Sequence, residues 1–257
     1  MPRKPSEAAP ARKSAATTTR KKAAGSERVD THTQLLDIAE RLFAEQGVEL
    51  VPLRQIVVES GQRNRSALHY HFGSRADLVR EVLTRRRVHV NDRQHQLLSE
   101  LEATGKYDAA AVLHAAMRPL FDVVRDEPWG RDYVLLLAQT TFSPLLAGQP
   151  FLDPSSLSGL LQVRRMLQKT VKKVLPEMFD ARLAWIAEGS VFTFARWCRE
   201  ESDFWRNDDA FNAWIEFCTA GLLSPVTVAI PPAPRDPKTG LIAASGLRLF
   251  FASQPVA

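Results

Sequence analysis

Apolar residues recur every three or four positions along most of the chain, which is the pattern of amphipathic helices. The first such series stops at Gly47, and glycine commonly terminates a helix. Its apolar members are Leu35, Ile38, Ala39, Leu42 and Phe43. The spacing predicts one helix of about four turns in residues 30–47.

Two shorter helices and one long helix are predicted next. A segment from Leu53 to Val58 follows Pro52, a residue suited to a first helical turn, and stops at Gly61. A third element covers about residues 64–70. Ser74 then stands three positions before Asp77, which is the spacing of a capping box. We therefore expect a long helix from this point to about residue 101.

Later apolar series predict helices at about 108–125, 130–146, 156–175, 180–201 and 208–223. No segment alternates with the period of two that marks a strand, so the expected fold class is all-α. Residues 1–27 hold no large apolar side chain after Met1 and are expected to be disordered. Residues 224–257 contain six of the sixteen prolines and are expected to form an extended C-terminal extension.

The three short elements within residues 30–72 form a recognisable arrangement. Helices of about seven residues do not persist alone, so they must pack on each other and on the first helix through Ile56, Val57, Leu68 and Phe72. The connection at residues 60–63 is short and contains a glycine. A tight turn of this kind between two short helices is typical of a helix-turn-helix, here in a domain of residues 28–90.

Polar residues suited to nucleic acid are concentrated around the third element. Arginine bridges the two acceptors of guanine, and asparagine does the same for adenine. Serine, histidine and tyrosine suit phosphate oxygens, and the start of the next helix offers free backbone N–H groups. The candidate DNA-binding residues are Arg54, Arg63, Asn64, Arg65, Ser66, His69, Tyr70, Ser74 and Arg75.

The order of residues in this region resembles the DNA-binding domain of TetR/AcrR-type transcriptional regulators. The matching pieces are LFAEQG at 42–47, LRQI at 53–56, SG at 60–61, AL and HF within 67–72, and GSRADL at 73–78. The turn is one residue longer than is usual in that family. This leaves open which of residues 63–65 reads bases, and whether His69 or Tyr70 contacts a phosphate.

The resemblance implies that residues 91–223 form a helical regulatory domain with a ligand pocket and a homodimer interface. The apolar effector is unidentified. Tyr133 and Gln139 are candidates for polar contacts to it. The candidate residues for the lining of its pocket are Trp129, Tyr133, Phe142, Met166, Trp185 and Phe192. For the interface the candidates are Phe194, Trp197, Phe211, Trp214 and Phe217. A homodimer would place two recognition helices about 34–36 Å apart on a two-fold symmetric DNA operator.

The net charge of +5 belongs to residues 1–27, which carry seven basic and two acidic side chains, whereas the remaining residues balance at 27 of each. We interpret this segment as an electrostatic arm near DNA, with a transit peptide as the alternative. Two cysteines, no metal-binding motif and no long apolar run indicate a cytoplasmic, nucleoid-associated protein without metal or cofactor and without a membrane partner.

The sequence contains no catalytic motif that indicates an enzyme. The hypothesis is a repressor that a small ligand releases from DNA. The alternatives are an activator and a ligand-independent architectural regulator of the same fold.

Overall fold

The computed structural model describes residues 15–62, 67–141, 158–172, 174, 176–200 and 203–227. In these ranges the chain forms nine α-helices, a short 3-10 helix at Asp203–Arg206 and no strand, which confirms the all-α fold class. The helices are α1 (Ala15–Gln46), α2 (Leu53–Glu59), α3 (Ala67–Phe72), α4 (Arg75–Ala103), α5 (Ala109–Asp126), α6 (Gly130–Thr140), α7 (Ser158–Thr170), α8 (Pro176–Arg199) and α9 (Asp208–Leu223).

Helix α1 begins earlier than the apolar pattern predicts. It starts at Ala15, inside the segment expected to be disordered up to residue 27. Alanine, lysine and arginine favour helix, and no proline interrupts the chain from residue 15 to residue 46, so the helix formed by the Leu35 series extends towards the N-terminus. Residues 1–14 and 228–257, which include most of the predicted tail and extension, lie outside the described residues.

The first three helices pack as a small unit against the start of α4. Helix α1 ends at Gly47, whose φ of 104° lies in the left-handed region and whose N–H donates to Phe43 O at 3.0 Å. Ile56 and Val57 on α2 and Phe72 on α3 are buried in the apolar core, as predicted. The short helices are thus stabilised by burial of apolar surface.

The larger unit is built on α4, which packs against α1, α5, α6 and α7. An aromatic cluster in its core contains Phe121, Phe194 and Phe211, each fully buried. Between α5 and α6 the backbones approach closely at Gly130, where a Cβ atom would lie 1.8 Å from Val123 O. Only glycine fits this contact, which sets how α6 leaves α5.

Candidate DNA-binding surface and regulatory cavity

Helix α2 ends at Ser60 and Gly61, the residues with which the predicted turn begins. Ser60 is buried, and its Oγ donates to Val57 O at 2.8 Å, which ends α2. Gly61 follows with a φ of 69°, a left-handed conformation that glycine adopts without strain. Helix α3 is described from Ala67, three residues after the predicted start, and residues 63–66 lie outside the described residues.

The structure describes the side chains of some candidate DNA-binding residues but not of others. Arg54 on α2 is exposed, and Tyr70 on α3 is 76% exposed, with its ring edge-on to His71. Both are therefore accessible to a DNA backbone. The principal candidates lie outside the described side chains, namely Arg63, Asn64, Arg65, Ser66 and His69. Their assignment stays a prediction.

Arg75, a predicted DNA contact, is hydrogen-bonded to the backbone of the chain itself. Its Nη1 donates to Val48 O and Val51 O, each at 2.6 Å, so the guanidinium ties the start of α4 to the loop after α1. Burial lowers the pKa of Arg75. The side chain is a structural clamp beneath the helix-turn-helix, which the sequence did not reveal because its partners are backbone carbonyls more than twenty residues away.

Ser74 is the N-cap of α4, as its spacing predicts. Its Oγ accepts a hydrogen bond from Asp77 N at 3.1 Å and donates to Asp77 Oδ2 at 2.5 Å. These contacts, followed by an ion pair with Arg80, hold the pKa of Asp77 below its usual value. The first turn of α4 thus already carries a carboxylate, which disfavours a phosphate at this helix end.

An ion pair fixes α2 against α1. Arg41 Nη2 on α1 donates to Glu59 Oε2 at 2.5 Å, and Gln55 Nε2 donates to Glu59 Oε1 at 3.0 Å. These hydrogen bonds, that from Gln55 first, lower the pKa of Glu59. No sequence motif points to Arg41 and Glu59, although these two residues hold the orientation of α2.

A partly buried cluster of charges joins α1 to α4. Glu40 is 2% exposed and accepts hydrogen bonds from Arg86 Nη2 at 2.6 Å and Arg85 Nη2 at 2.9 Å. The more exposed Asp37 pairs with the same two arginines. Burial raises the pKa of Glu40, although both arginines act in the opposite direction. Arg86 also stacks over the ring of Trp129, 4.5 Å from its centroid.

Helix α6 makes a second link to α1. Gln139 Oε1 accepts from Val48 N and its Nε2 donates to Ala44 O, both at 3.1 Å. Both ends of the Gln139 amide, which was predicted to supply a polar contact to a ligand, are thus bound to the backbone at the end of α1. The helix-turn-helix unit is attached to the larger unit through α4 and α6.

A cavity of about 90 Å³ lies between α4, α5, α6, α7 and α8. Most of its wall is apolar, and the polar groups at it are Arg87, Gln94 and Ser190. Its apolar lining consists of Val90, Leu113, Ala116, Met117, Leu120, Leu137, Val163, Leu183, Ile186, Ala187 and Val191.

None of the five described residues predicted to line a pocket reaches this cavity. Tyr133 and Met166 are buried in the core, where burial raises the pKa of Tyr133 to about 12. Trp129 packs against Arg86, and Trp185 and Phe192 are exposed on α8. Phe142 lies outside the described residues. Large aromatic side chains fill space, so a cavity forms where smaller side chains leave it open.

The residues predicted for a dimer interface separate into two groups. Phe194 and Phe211 are fully buried, and Trp197 packs against Phe194, so they stabilise the internal aromatic cluster rather than an interface. Trp214 and Phe217 stack on each other on α9, and Phe217 is 68% exposed. Trp185, predicted for the pocket, lines the same groove between α8 and α9 as those two residues.

Two further properties bear on the class of protein. Among the described residues, no helix is long and apolar enough to cross a membrane. Within the same ranges, no group of three or more histidine, cysteine or acidic side chains is placed to hold a metal ion. Cys198 and Cys218 are both buried free thiols, and burial raises the pKa of each to about 12.

A short-helix pair joined by a glycine turn, supported by α1 and followed by a long helix, defines a helix-turn-helix DNA-binding domain. Residues 35–82 match the family model described as bacterial regulatory proteins, tetR family. The match runs from the middle of α1 into α4, so this part of the chain is similar to the DNA-binding domain of that family and supports a DNA-binding transcriptional regulator of the TetR type. No curated protein matches the chain.

Proposed function

We propose that this chain is a homodimeric repressor, released from its operator when a small molecule occupies the cavity of the larger unit. The observation that carries the proposal is that α4 and α6 each contact both the cavity and the DNA-binding unit. On α4, Arg87 lines the cavity, whereas the preceding Arg86 binds Glu40 of α1. On α6, Leu137 lines the cavity, and Gln139 binds the end of α1 two residues later.

This arrangement supports coupling between the two units. A ligand changes DNA affinity only if it binds one conformation better than the other. Displacement of α4 or α6 by a ligand moves α1, and α1 carries α2 through the Arg41–Glu59 ion pair. In a homodimer, such a movement alters the distance between the two recognition helices, which must match one turn of DNA.

In the proposed complex, α3 enters the major groove. Residues 63–65 read base edges, while Arg54 and either His69 or Tyr70 contact phosphates. Two of these positions, Arg54 and Tyr70, are exposed on the described surface, in agreement with this role. The basic residues 1–27 would add contacts to the DNA backbone without sequence preference.

The proposed dimer forms through the groove between α8 and α9. Its exposed apolar side chains include Trp185 and Phe217, which are 57% and 68% exposed. Arg182 Nη1 on α8 donates to Leu222 O and Ser224 O at the end of α9, so the two helices present one rigid surface. Contiguous exposed aromatic side chains are characteristic of protein interfaces.

The dimer proposal is tested by sedimentation of the double variant Trp185→Glu, Phe217→Glu. We expect a monomer with strongly reduced operator affinity. Leu161→Glu is the matched control, since Leu161 is 53% exposed but lies on α7, outside this groove. A double variant that sediments like the wild type contradicts this interface.

The regulatory proposal is tested by selecting bound sites from a random DNA pool and then measuring operator binding by fluorescence anisotropy. Selected sites are expected to show two-fold symmetry, and a cavity ligand should weaken binding to them. If no compound that occupies the cavity changes operator affinity, the architectural alternative is favoured. Repression and activation are then separated by the position of the site relative to the promoter.

A further inference from the structure

Arg87 is an unusual residue in the wall of the cavity. Its side chain is 7% exposed, and it stands on α4 between apolar residues of the core. Its nearest polar contact is a long hydrogen bond of 3.3 Å from Nη2 to Gln94 Oε1. Its Nε is buried and has no hydrogen-bond partner within the described ranges. A buried cation with so few contacts is costly in free energy.

No carboxylate among the described residues pairs with Arg87, in contrast to Arg85 and Arg86 beside it. Tyr133 is the titratable group that acts on it within the described structure, and burial keeps that phenol in its neutral form at physiological pH. Burial also lowers the pKa of Arg87, yet a guanidinium retains its charge in proteins. The described lining of the cavity therefore carries one positive charge that no carboxylate compensates.

The polar groups around Arg87 are held in place by hydrogen bonds with helix carbonyl groups and with Trp214. Gln94 Nε2 donates to Ala116 O at 2.6 Å, which turns its Oε1 towards Arg87. Ser190 Oγ donates to Ile186 O at 2.7 Å and accepts from Trp214 Nε1 at 3.0 Å. Neither side chain supplies a negative charge. An ordered site with one cation and an apolar wall favours a ligand with one anion and an apolar body.

From these contacts we infer that the cavity binds a small monocarboxylate, whose carboxylate pairs with Arg87 and whose aliphatic chain lies among Leu113, Met117 and Ile186. Arginine suits this ligand because its planar fork matches a carboxylate. A phosphate carries about 1.5 to 2 negative charges at pH 7, more than one guanidinium balances. The volume of 90 Å³ is below the ~150 Å³ of a cavity that holds benzene, so a short chain fits.

This inference rests on the proposed regulatory function but is tested without DNA. Calorimetric titration of the full chain compares butyrate with its uncharged isostere butyramide at constant ionic strength. We expect butyrate to bind at least about tenfold more tightly, the difference that a hydrogen bond to a charged group produces. In a series from acetate to octanoate, affinity should rise and then fall once the chain no longer fits.

The variant Arg87→Met tests the role of the cation. It should lose the preference for butyrate over butyramide, while its urea midpoint rises because an uncompensated buried charge is removed. Arg93→Met is the matched control, because Arg93 is exposed on the same helix. Since the titration contains no DNA, a folded Arg87→Met protein with a higher midpoint remains informative even if operator binding changes.

Equal binding of butyrate and butyramide by the wild type, or an unchanged preference in Arg87→Met, overturns the inference. Binding of inorganic phosphate in place of butyrate also overturns it, because that result identifies a site for a bare anion. If butyrate binds through Arg87 without releasing operator DNA, the inference stands and ligand-released repression fails. If uncharged compounds alone release DNA, repression stands and the inference fails.

Discussion

Helix α4 carries three consecutive arginines whose surroundings differ sharply. Arg85 and Arg86 face α1, where Glu40 and Asp37 accept their hydrogen bonds. Arg87 faces the cavity and has no carboxylate partner among the described residues. Successive residues on a helix are turned by about 100°, so neighbours in sequence reach opposite sides of one element.

The different surroundings of Arg86 and Arg87 illustrate two roles that a buried charge can have. At the junction with α1, every carboxylate oxygen of Glu40 is satisfied within the chain, which holds the DNA-binding unit in one orientation. At the cavity, the positive charge is left for a partner that binds from outside. A ligand that pairs with Arg87 therefore acts on α4 within one residue of the contacts that position α1.

The largest effect on stability is expected from the buried ion pairs between α1 and α4. Glu40→Gln leaves Arg85 and Arg86 without their buried partner and should lower the free energy of unfolding by about 3 kcal/mol, measured by urea denaturation. Asp37→Asn is the control, since the Asp37 side chain is 54% exposed and its loss should cost less than about 1 kcal/mol. Equal losses in the two variants would show that the buried position of Glu40 does not matter.

The second prediction concerns the link through α6. Gln139→Ala removes two hydrogen bonds to the backbone of α1 and should cost about 2 kcal/mol of stability. If α6 transmits the ligand signal, this variant also binds operator but responds weakly to the ligand in the anisotropy titration. Gln96→Ala serves as control, because Gln96 is exposed and hydrogen-bonds only within α4. An unimpaired response in Gln139→Ala assigns transmission to α4.

The sequence predicted the helices of the DNA-binding unit well, since their signals are local. The Ser60-Gly61 turn and the Ser74 cap each depend on residues within three positions of one another, and both are confirmed. The structural contacts of Arg75 were not predicted, because its partners, Val48 O and Val51 O, are distant in the chain. A basic residue beside a helix-turn-helix favours a prediction of DNA contact. The sequence does not show whether backbone carbonyl groups already accept the hydrogen bonds of that side chain.

A pocket was expected in this domain, but its lining was not predicted, although a signal for it is present. Arg87 and Gln94 occupy the buried stripe of α4, whose members are Leu83, Arg87, Val90, Gln94 and Leu98. Polar residues at such positions indicate a site inside the core. The aromatic residues predicted for the pocket lie elsewhere, with Tyr133 buried in the core and Trp185 and Phe192 exposed on α8. Where helices leave space depends on how they cross, as at Gly130, and this is not readable from periodicity.

The third prediction compares the N-caps of two helices. Ser74 caps α4 and Asp108 caps α5, whose Ala111 N donates to Asp108 Oδ1 at 2.8 Å. Replacing either residue with alanine should cost about 1 kcal/mol in thermal or urea unfolding. Only Ser74→Ala should weaken operator binding, because Ser74 directly follows α3 in the chain. If both variants weaken it equally, the effect reflects global stability alone.

The smallest effect concerns His114 on α5, which packs edge-on against Phe211 at 5.1 Å. Burial, with a smaller contribution from Arg118, lowers the pKa of His114 below its ordinary value of 6.5. As the pH falls below 6.5, the unfolded chain therefore takes up a proton more readily than the folded chain, and stability decreases until the folded pKa is passed. His114→Gln should remove this contribution and flatten the dependence of stability on pH between pH 6.5 and the onset of carboxylate titration. Urea midpoints measured at half-unit intervals of pH for the variant and the wild type test this expectation. If the variant and the wild type gave superimposable curves of urea midpoint against pH, His114 would accept its proton equally well in the folded and the unfolded chain. The partly buried charges around His114 would then be compensated as fully as those between α1 and α4.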